Sequence, residues 1–259
     1  MALYDSPACI DFILKKTNKD KVTYIGHSLG TTVFYVMSSM RPEYNEKILA
    51  HLSLAPVAYL GHMTSIVRLL VPIAPVIYET INTLFHGELL SRSPLLDEAL
   101  KLFCTLNKAQ MIFCQNLIFV IFGKDPDQVK PTIVPAYLGH DPAGASGKTV
   151  YHLSQFVRNP NTFRQFDYGS PAENLQHYNS PTPPDYNISA ITAKVALIYG
   201  QNDLLATEKD VKLLYPQLPN PIGLIRVKFP AFMHQDFILA KDSVPLFANK
   251  ILQILNSLK

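Results

Sequence analysis

An α/β fold built on a mostly parallel sheet, interrupted by a helical insertion, is predicted by three observations on the 259-residue chain. A short β-branched run at 22–25 passes through Gly26-His27-Ser28-Leu29-Gly30 into a helical run from Leu29 to Met40, the order of a strand–turn–helix unit. Two later apolar runs, 195–199 and 224–229, read as further strands that open into loops. Between Gly61 and Pro184 the strand–helix alternation stops and apolar helical stretches replace it. The expected organisation is therefore residues 1–60 as the first part of a core, 61–184 as an inserted helical cap or lid, and 185–259 as the second part of the core.

Taken in order, Ser6-Pro7 reads as a helix start, a capping hydroxyl followed by proline at the first helical position, and the helix is expected to reach about Thr17. Strand 22–25 and helix 29–40 follow, and the helix stops at Arg41-Pro42 because proline restricts the residue before it. Residues 47–54 form the next strand. Within the insertion, 66–70, 75–84 and 109–122 are apolar helical runs. The last is shorter than the roughly 18 residues a membrane span requires and is broken by Gln115 and Asn116, so no transmembrane segment is expected. Packing within the insertion accounts for these runs on one face, and a lid showing an apolar surface to lipid accounts for them on another. Ser180-Pro-Thr-Pro-Pro184 is a stiff return linker. Strand 195–199, a helix near 207–215, strand 224–229 and a closing helix complete the chain. In that last helix Val244, Phe247, Ile251, Leu255 and Leu258 recur at three- and four-residue steps and are expected to form a buried stripe.

The turn at Ser28 fits G-x-S-x-G, in which a sharp strand-to-helix turn lifts a serine hydroxyl into solvent and flanking glycines let the neighbouring backbone approach. The following helix start aims the Leu29 N–H at the same place, one donor for a developing oxyanion. A serine hydroxyl is a weak nucleophile and needs a base, itself held by an acid. Asp203 lies just past strand 195–199 and His234 just past strand 224–229, so both fall where catalytic groups of parallel sheets collect, beyond the carboxyl ends of strands. The chain order Ser28, Asp203, His234 thus assigns nucleophile, orienting acid and general base. Asp210 and Asp236 are the rival acids, but neither closes a strand.

Composition narrows the function classes. Charged residues are 17% and hydrophobic ones 48%, which suits an apolar working surface. The net charge of +3 is small and the basic residues are scattered, so nucleic acid is not an expected partner. No glycine-rich phosphate loop or His-Glu-x-x-His zinc pattern occurs, and neither a cofactor nor a metal is expected. Asn187-Ile-Ser189 is an N-glycosylation sequon. The residues after Met1 lack the charged-then-apolar pattern of a secretion signal.

The chain resembles the animal acid lipases, the gastric and lysosomal group of the α/β-hydrolase fold. The resemblance runs from Tyr4-Asp5-Ser-Pro-Ala-Cys-Ile-Asp-Phe-Ile13 through Leu54-Ala-Pro-Val-Ala58, His140-Asp-Pro-Ala-Gly144, Phe166-Asp-Tyr-Gly-Ser-Pro171 and Asn202-Asp-Leu-Leu-Ala206 to His234-Gln-Asp-Phe237. It implies hydrolysis of triacylglycerols, and often of cholesteryl esters, at a lipid–water interface, outside the cell or in the lysosome, with Ser28, Asp203 and His234 as the triad. It also implies a disulfide between Cys104 and Cys114, leaving Cys9 as a small buried hydrophobe; three buried thiols in a reducing compartment are the alternative. Leu29 stands where relatives usually carry glutamine, and Leu153 and Tyr168 where they often carry tryptophan, which leaves acyl-chain preference open. The resemblance further implies about eight core strands against the four found here. Strands, a signal peptide and a second oxyanion donor are therefore expected to precede residue 1, and strand 22–25 to have an unpaired edge. A lipid-binding or storage protein with impaired turnover is the alternative function that this shortfall suggests.

Overall fold

A computed structural model describes residues 1–91 and 93–258. Helix α1 (Asp5–Thr17) starts two residues earlier than its sequence suggests, with Tyr4 at the cap position and no side-chain cap. Ser6 and Pro7 lie inside the first turn, where a missing N–H costs nothing because no helical carbonyl would receive it. Strand β1 (Val22–His27) runs into Ser28 and helix α2 (Leu29–Met40). After a 3₁₀ turn at Pro42–Lys47 comes β2 (Ile48–Leu54), whose side chains are almost all buried. A long 3₁₀ segment, Ile66–Ile73, continues into α3 (Ala74–Leu84). The insertion goes on through β3 (Glu88–Leu89), α4 (Pro94–Cys104), α5 (Lys108–Phe122), α6 (Val134–Leu138), β4 (Ala145–Ser146), α7 (Gly147–Arg158) and α8 (Pro171–Tyr178). The chain then returns through β5 (Val195–Tyr199), α9 (Glu208–Leu214), β6 (Pro221–Arg226), α10 (Asp236–Leu239) and α11 (Asn249–Ser257).

The four long strands form one parallel sheet in the order β1-β2-β5-β6. Its two middle strands carry Val, Ile, Leu and Ala on both faces, the pattern of strands covered on both sides. The registers pair His27 with Leu54, Leu54 with Ile198, and Tyr199 with Arg226, so the carboxyl ends are level and the loops after β1, β5 and β6 leave from one rim. Strand β1 is an edge, as expected, and Ile25 on it is half exposed. The core gathers around Phe34, Tyr35, Met37, Leu52, Leu197 and Ile198, with His51 stacked on Phe34 at 3.9 Å. Burial holds His51 neutral, its pKa lowered to about 3.

Several sequence expectations are corrected. Cys9 is exposed rather than buried, because α1 packs through Pro7 and Ile10 and Cys9 falls off that stripe. Strand β6 ends at Arg226 instead of reaching Phe229, and the remaining residues form the start of the loop that carries His234. The closing stripe buries Phe247 and Ile251, whereas Val244 is exposed. A π-helical turn at Val244–Ala248 precedes α11, so the 3.6-residue period does not extend back to that residue. Among the described residues one run, Ile66–Leu84, is long and apolar enough by composition to cross a membrane; it exposes Ile66, Leu69, Leu70, Ile73, Val76 and Leu84, while Val67 and Val71 pack against the core and Ile81 is buried. The Cys104 and Cys114 side chains are bonded to each other.

Phe34→Ala removes a fully buried ring from the main core and leaves His51 without its stacking partner. The expected cost is about 3–5 kcal/mol of unfolding free energy, measured from the shift of the urea midpoint.

Candidate active site

The site begins with a strained residue. Ser28 has φ 52° and ψ −119°, a conformation that non-glycine residues rarely adopt. Its backbone is fixed from several sides. Ser28 N–H donates to the Leu54 carbonyl at 3.0 Å, and the Ser28 carbonyl accepts from Thr31 N–H at 2.9 Å and Thr31 Oγ1 at 2.6 Å. Thr31 Oγ1 in turn accepts from Val57 N–H at 2.8 Å, which ties the turn to the segment after β2. Gly26 is required sterically, since a Cβ there would lie 2.9 Å from the backbone of Gly30. Gly30 itself has open space where a Cβ would stand, so the motif's second glycine is not demanded by contact.

The structure brings the three sequence-predicted side chains together. Ser28 Oγ lies 2.7 Å from His234 Nε2, and His234 Nδ1 lies 2.8 Å from Asp203 Oδ2. Asp203 and His234 are both buried. The other Asp203 oxygen accepts from the N–H groups of Leu205 and Ala206, both at 2.8 Å, so the acid is satisfied on both sides. In this arrangement Ser28 can donate its proton to the imidazole while the carboxylate fixes the tautomer and holds the ring. Leu29 N–H occupies the first helical position of α2, where no carbonyl of the helix can accept it. The rival acids are engaged elsewhere. Asp210 binds His62 at 2.6 Å, and Asp236 accepts from Met233 N–H at 2.7 Å.

Two residues not singled out from sequence complete the support. His27 Nε2–H donates to the His234 carbonyl at 2.9 Å, and burial together with the neighbouring His234 lowers the His27 pKa to about 4, so it stays neutral. Phe122, at the end of α5, stacks on the His234 ring with 5.8 Å between centroids, while its carbonyl accepts from His234 N–H. Nothing in the local sequence marks Phe122, because its partner lies more than a hundred residues away. A cavity of about 520 Å³ opens onto Ser28 and His234, lined mainly by apolar side chains including Phe122, Ile133, Ile238 and Leu239. Its polar edge holds Tyr137, whose hydroxyl donates to Asp141. Asn187 of the sequon does not join this set; it is exposed beside a separate cavity that also borders Tyr59 and Arg164.

A parallel sheet whose strand ends present these groups defines the α/β-hydrolase fold. Solved structures of that fold superpose on the chain: the monoacylglycerol lipase of Paleococcus ferrophilus with a TM-score of 0.52 at 17% identity, over 100% of this chain and 77% of that one, and a soluble variant of the Saccharomyces cerevisiae monoglyceride lipase with 0.51 at 15%, over 98% and 68%. No family model matches the chain. Individual relatives do. It is 34% identical to gastric triacylglycerol lipase of Rattus norvegicus over 255 residues, 98% of this chain and 63% of the relative. It is 34% identical to human lipase member K, over 94% of this chain and 59% of the relative, and 33% identical to lipase 1 of Drosophila melanogaster, over 98% and 56%. Over nearly its whole length the chain is similar to gastric triacylglycerol lipases, and it spans a little over three fifths of the length of those relatives.

The acid and base loops are held in register by backbone contact. A Cβ on Gly200 would come within 2.3 Å of the Phe232 carbonyl oxygen. Gly200→Ala is expected to push the Asp203 and His234 loops apart and to cost about 1–3 kcal/mol in denaturant unfolding.

Proposed function

We propose that this protein is a serine-dependent carboxylic ester hydrolase acting on lipid esters, with triacylglycerols the foremost substrates and cholesteryl esters the second class. The observation that carries this reading is the continuous relay from Ser28 Oγ through His234 to Asp203, with both hydrogen bonds under 3 Å. It is supported by the names of the relatives, which are lipases, and by the largely apolar cavity over Ser28.

In the first half-reaction Ser28 Oγ attacks the ester carbonyl carbon as His234 Nε2 takes its proton. Negative charge gathers on the former carbonyl oxygen, and Leu29 N–H, at the positive end of α2, is one donor to it. His234 then returns the proton to the leaving alcohol, and an acyl group remains on Ser28. Water, activated by the same imidazole, releases the fatty acid in the second half-reaction. Asp203 holds the ring and balances the imidazolium that forms each time. No step needs a metal or a cofactor. Residues 61–184 act as a cap over the site, and the outward apolar run Ile66–Leu84 suits contact with a lipid–water interface. The Cys104–Cys114 bond and the exposed Asn187 fit a protein of the secretory route, outside the cell or in the lysosome, with Asn187 as a glycan acceptor.

A lipid-binding protein without turnover is the second reading, and the exposure of Ile66, Leu69, Leu70 and Val76 favours it. Ser28→Ala separates the two. On the hydrolase reading it lowers turnover of a short-chain fluorogenic ester by at least about 10⁴-fold and abolishes labelling by an organophosphonate, whereas the parent chain is labelled. Asp203→Asn is expected to lower kcat by about 10⁴-fold with Asp210→Asn far less damaging. A parent chain that neither turns over the ester nor takes the label contradicts the hydrolase reading.

A further inference from the structure

The loop that presents His234 is closed by a carboxyl group that hydrolysis itself does not use. Asp236 Oδ2 accepts from Met233 N–H at 2.7 Å, and Asp236 N–H donates to the Met233 carbonyl at 3.1 Å, so His234 sits inside a turn that is bonded at both ends. Asp236 is fully buried, and its second oxygen, Oδ1, has no donor. Beside Asp236 lies Asp125, from the turn that follows α5, and this carboxyl is also fully buried. Asp125 Oδ1 accepts from Asp127 N–H and Gln128 N–H, both at 3.1 Å, while Oδ2 has no donor. Two neighbouring carboxyls in a dry interior therefore each show one bare oxygen. If both were ionised, each bare oxygen would cost the desolvation of a charge and the two would repel. A single proton removes the conflict by making one group a donor to the other.

We infer that Asp125 and Asp236 share one proton as a buried acid–carboxylate pair, and that this bond fastens the turn after α5 to the His234 loop, making both residues positioning residues for the general base. The inference rests on the reading of His234 as that base. Asp236 Oδ1–H donates to Asp125 Oδ2, and no net proton leaves the site during turnover.

The other contacts between the two turns fit this role. Gln128 exchanges two hydrogen bonds with Asp242, and its carbonyl accepts from Lys241 N–H, so the α5 turn is stitched to the chain just beyond α10. The groups that face Asp236 are Asp125 from the insertion, Asp203 from the loop after β5 and His234 on its own loop, while His27 touches that loop from the nucleophile turn. Burial first, then the Asp125 carboxylate and the charge of Asp203, raise the Asp236 pKa to about 8 against the opposing Met233 N–H. The folded value lies above the unfolded one, so the bond contributes its full stability below the ordinary carboxylate range and loses it as pH rises through about 8.

The test combines two readouts on the full chain. Infrared difference spectra at about pH 6, where exposed carboxyls are ionised, should show a protonated carboxyl band in the parent and in Ser28→Ala. That band should vanish in Asp236→Asn and in Asp125→Asn, whose amides supply the missing donor without a proton. In ester hydrolysis, the ratio of kcat/KM at about pH 9 to that at about pH 6 should rise by about tenfold in Asp236→Asn relative to the parent, because the titrating group is gone. Absence of the band from the parent, its persistence in both variants, or an unchanged alkaline limb in a folded Asp236→Asn overturns the pair. The spectra keep the inference testable where Asp236→Asn folds poorly, through Asp125→Asn and Ser28→Ala. A parent that shows the band yet neither hydrolyses ester nor takes the phosphonate contradicts the hydrolase reading and supports the shared proton.

Discussion

The site depends on one backbone conformation. Ser28 is held at positive φ, which costs on the order of 1–3 kcal/mol for a residue with a Cβ. The surroundings offset that cost with hydrogen bonds that reach out of the turn, to Leu54 on β2 and, through Thr31, to the segment at Val57. Because β2 is the central neighbour of both β1 and β5, the same strand that fixes the serine also sets the height of the loop that carries Asp203. A one-residue slip in either pairing would move a strand end by about 3.3 Å, more than the length of the hydrogen bonds that connect the three side chains.

The parts of this arrangement that were legible in the sequence are those with a short-range cause. A β-branched strand, a glycine two residues before the serine and a helix start lie within a few positions of Ser28, and Asp203 and His234 each follow a strand that announces itself by its apolar run. Level strand ends then follow from parallel pairing. The failures share the opposite character. Val244 was placed in the core from helical periodicity and Cys9 as the cysteine left over from the disulfide, but which face of a terminal helix is covered depends on what lies against it. Residues 227–229 carry strand-like side chains and nevertheless leave the sheet, because they begin the connection to His234. Asp236 was weighed only as a rival to Asp203. Its partner, Asp125, is more than a hundred residues away, and no local pattern pairs two acids across that distance.

The helical insertion and the sheet meet more closely than a cap resting on a rim would require. The Phe122 carbonyl accepts from His234 N–H and Leu204 N–H, the Lys124 carbonyl accepts from Asn202 Nδ2, and Gly123, at φ 121°, lets its backbone touch the Asn202 carbonyl. Thus the acid loop and the base loop are bound to the same three residues of the insertion. Met233 belongs to the cluster that buries Cys104, Cys114 and Ile118, so the second apolar core reaches into the loop of the base. The arrangement of Ser28, His234 and Asp203 is a property of both layers and not of the sheet alone.

That shared attachment restricts how the entrance to Ser28 can widen. A swing of the whole insertion away from the rim would have to tear residues 122–124 from Asn202, Leu204 and His234, dismantling the machinery it uncovers. The end of α5 is therefore a fulcrum that stays put, and any widening of the doorway must leave residues 122–124 seated on the rim.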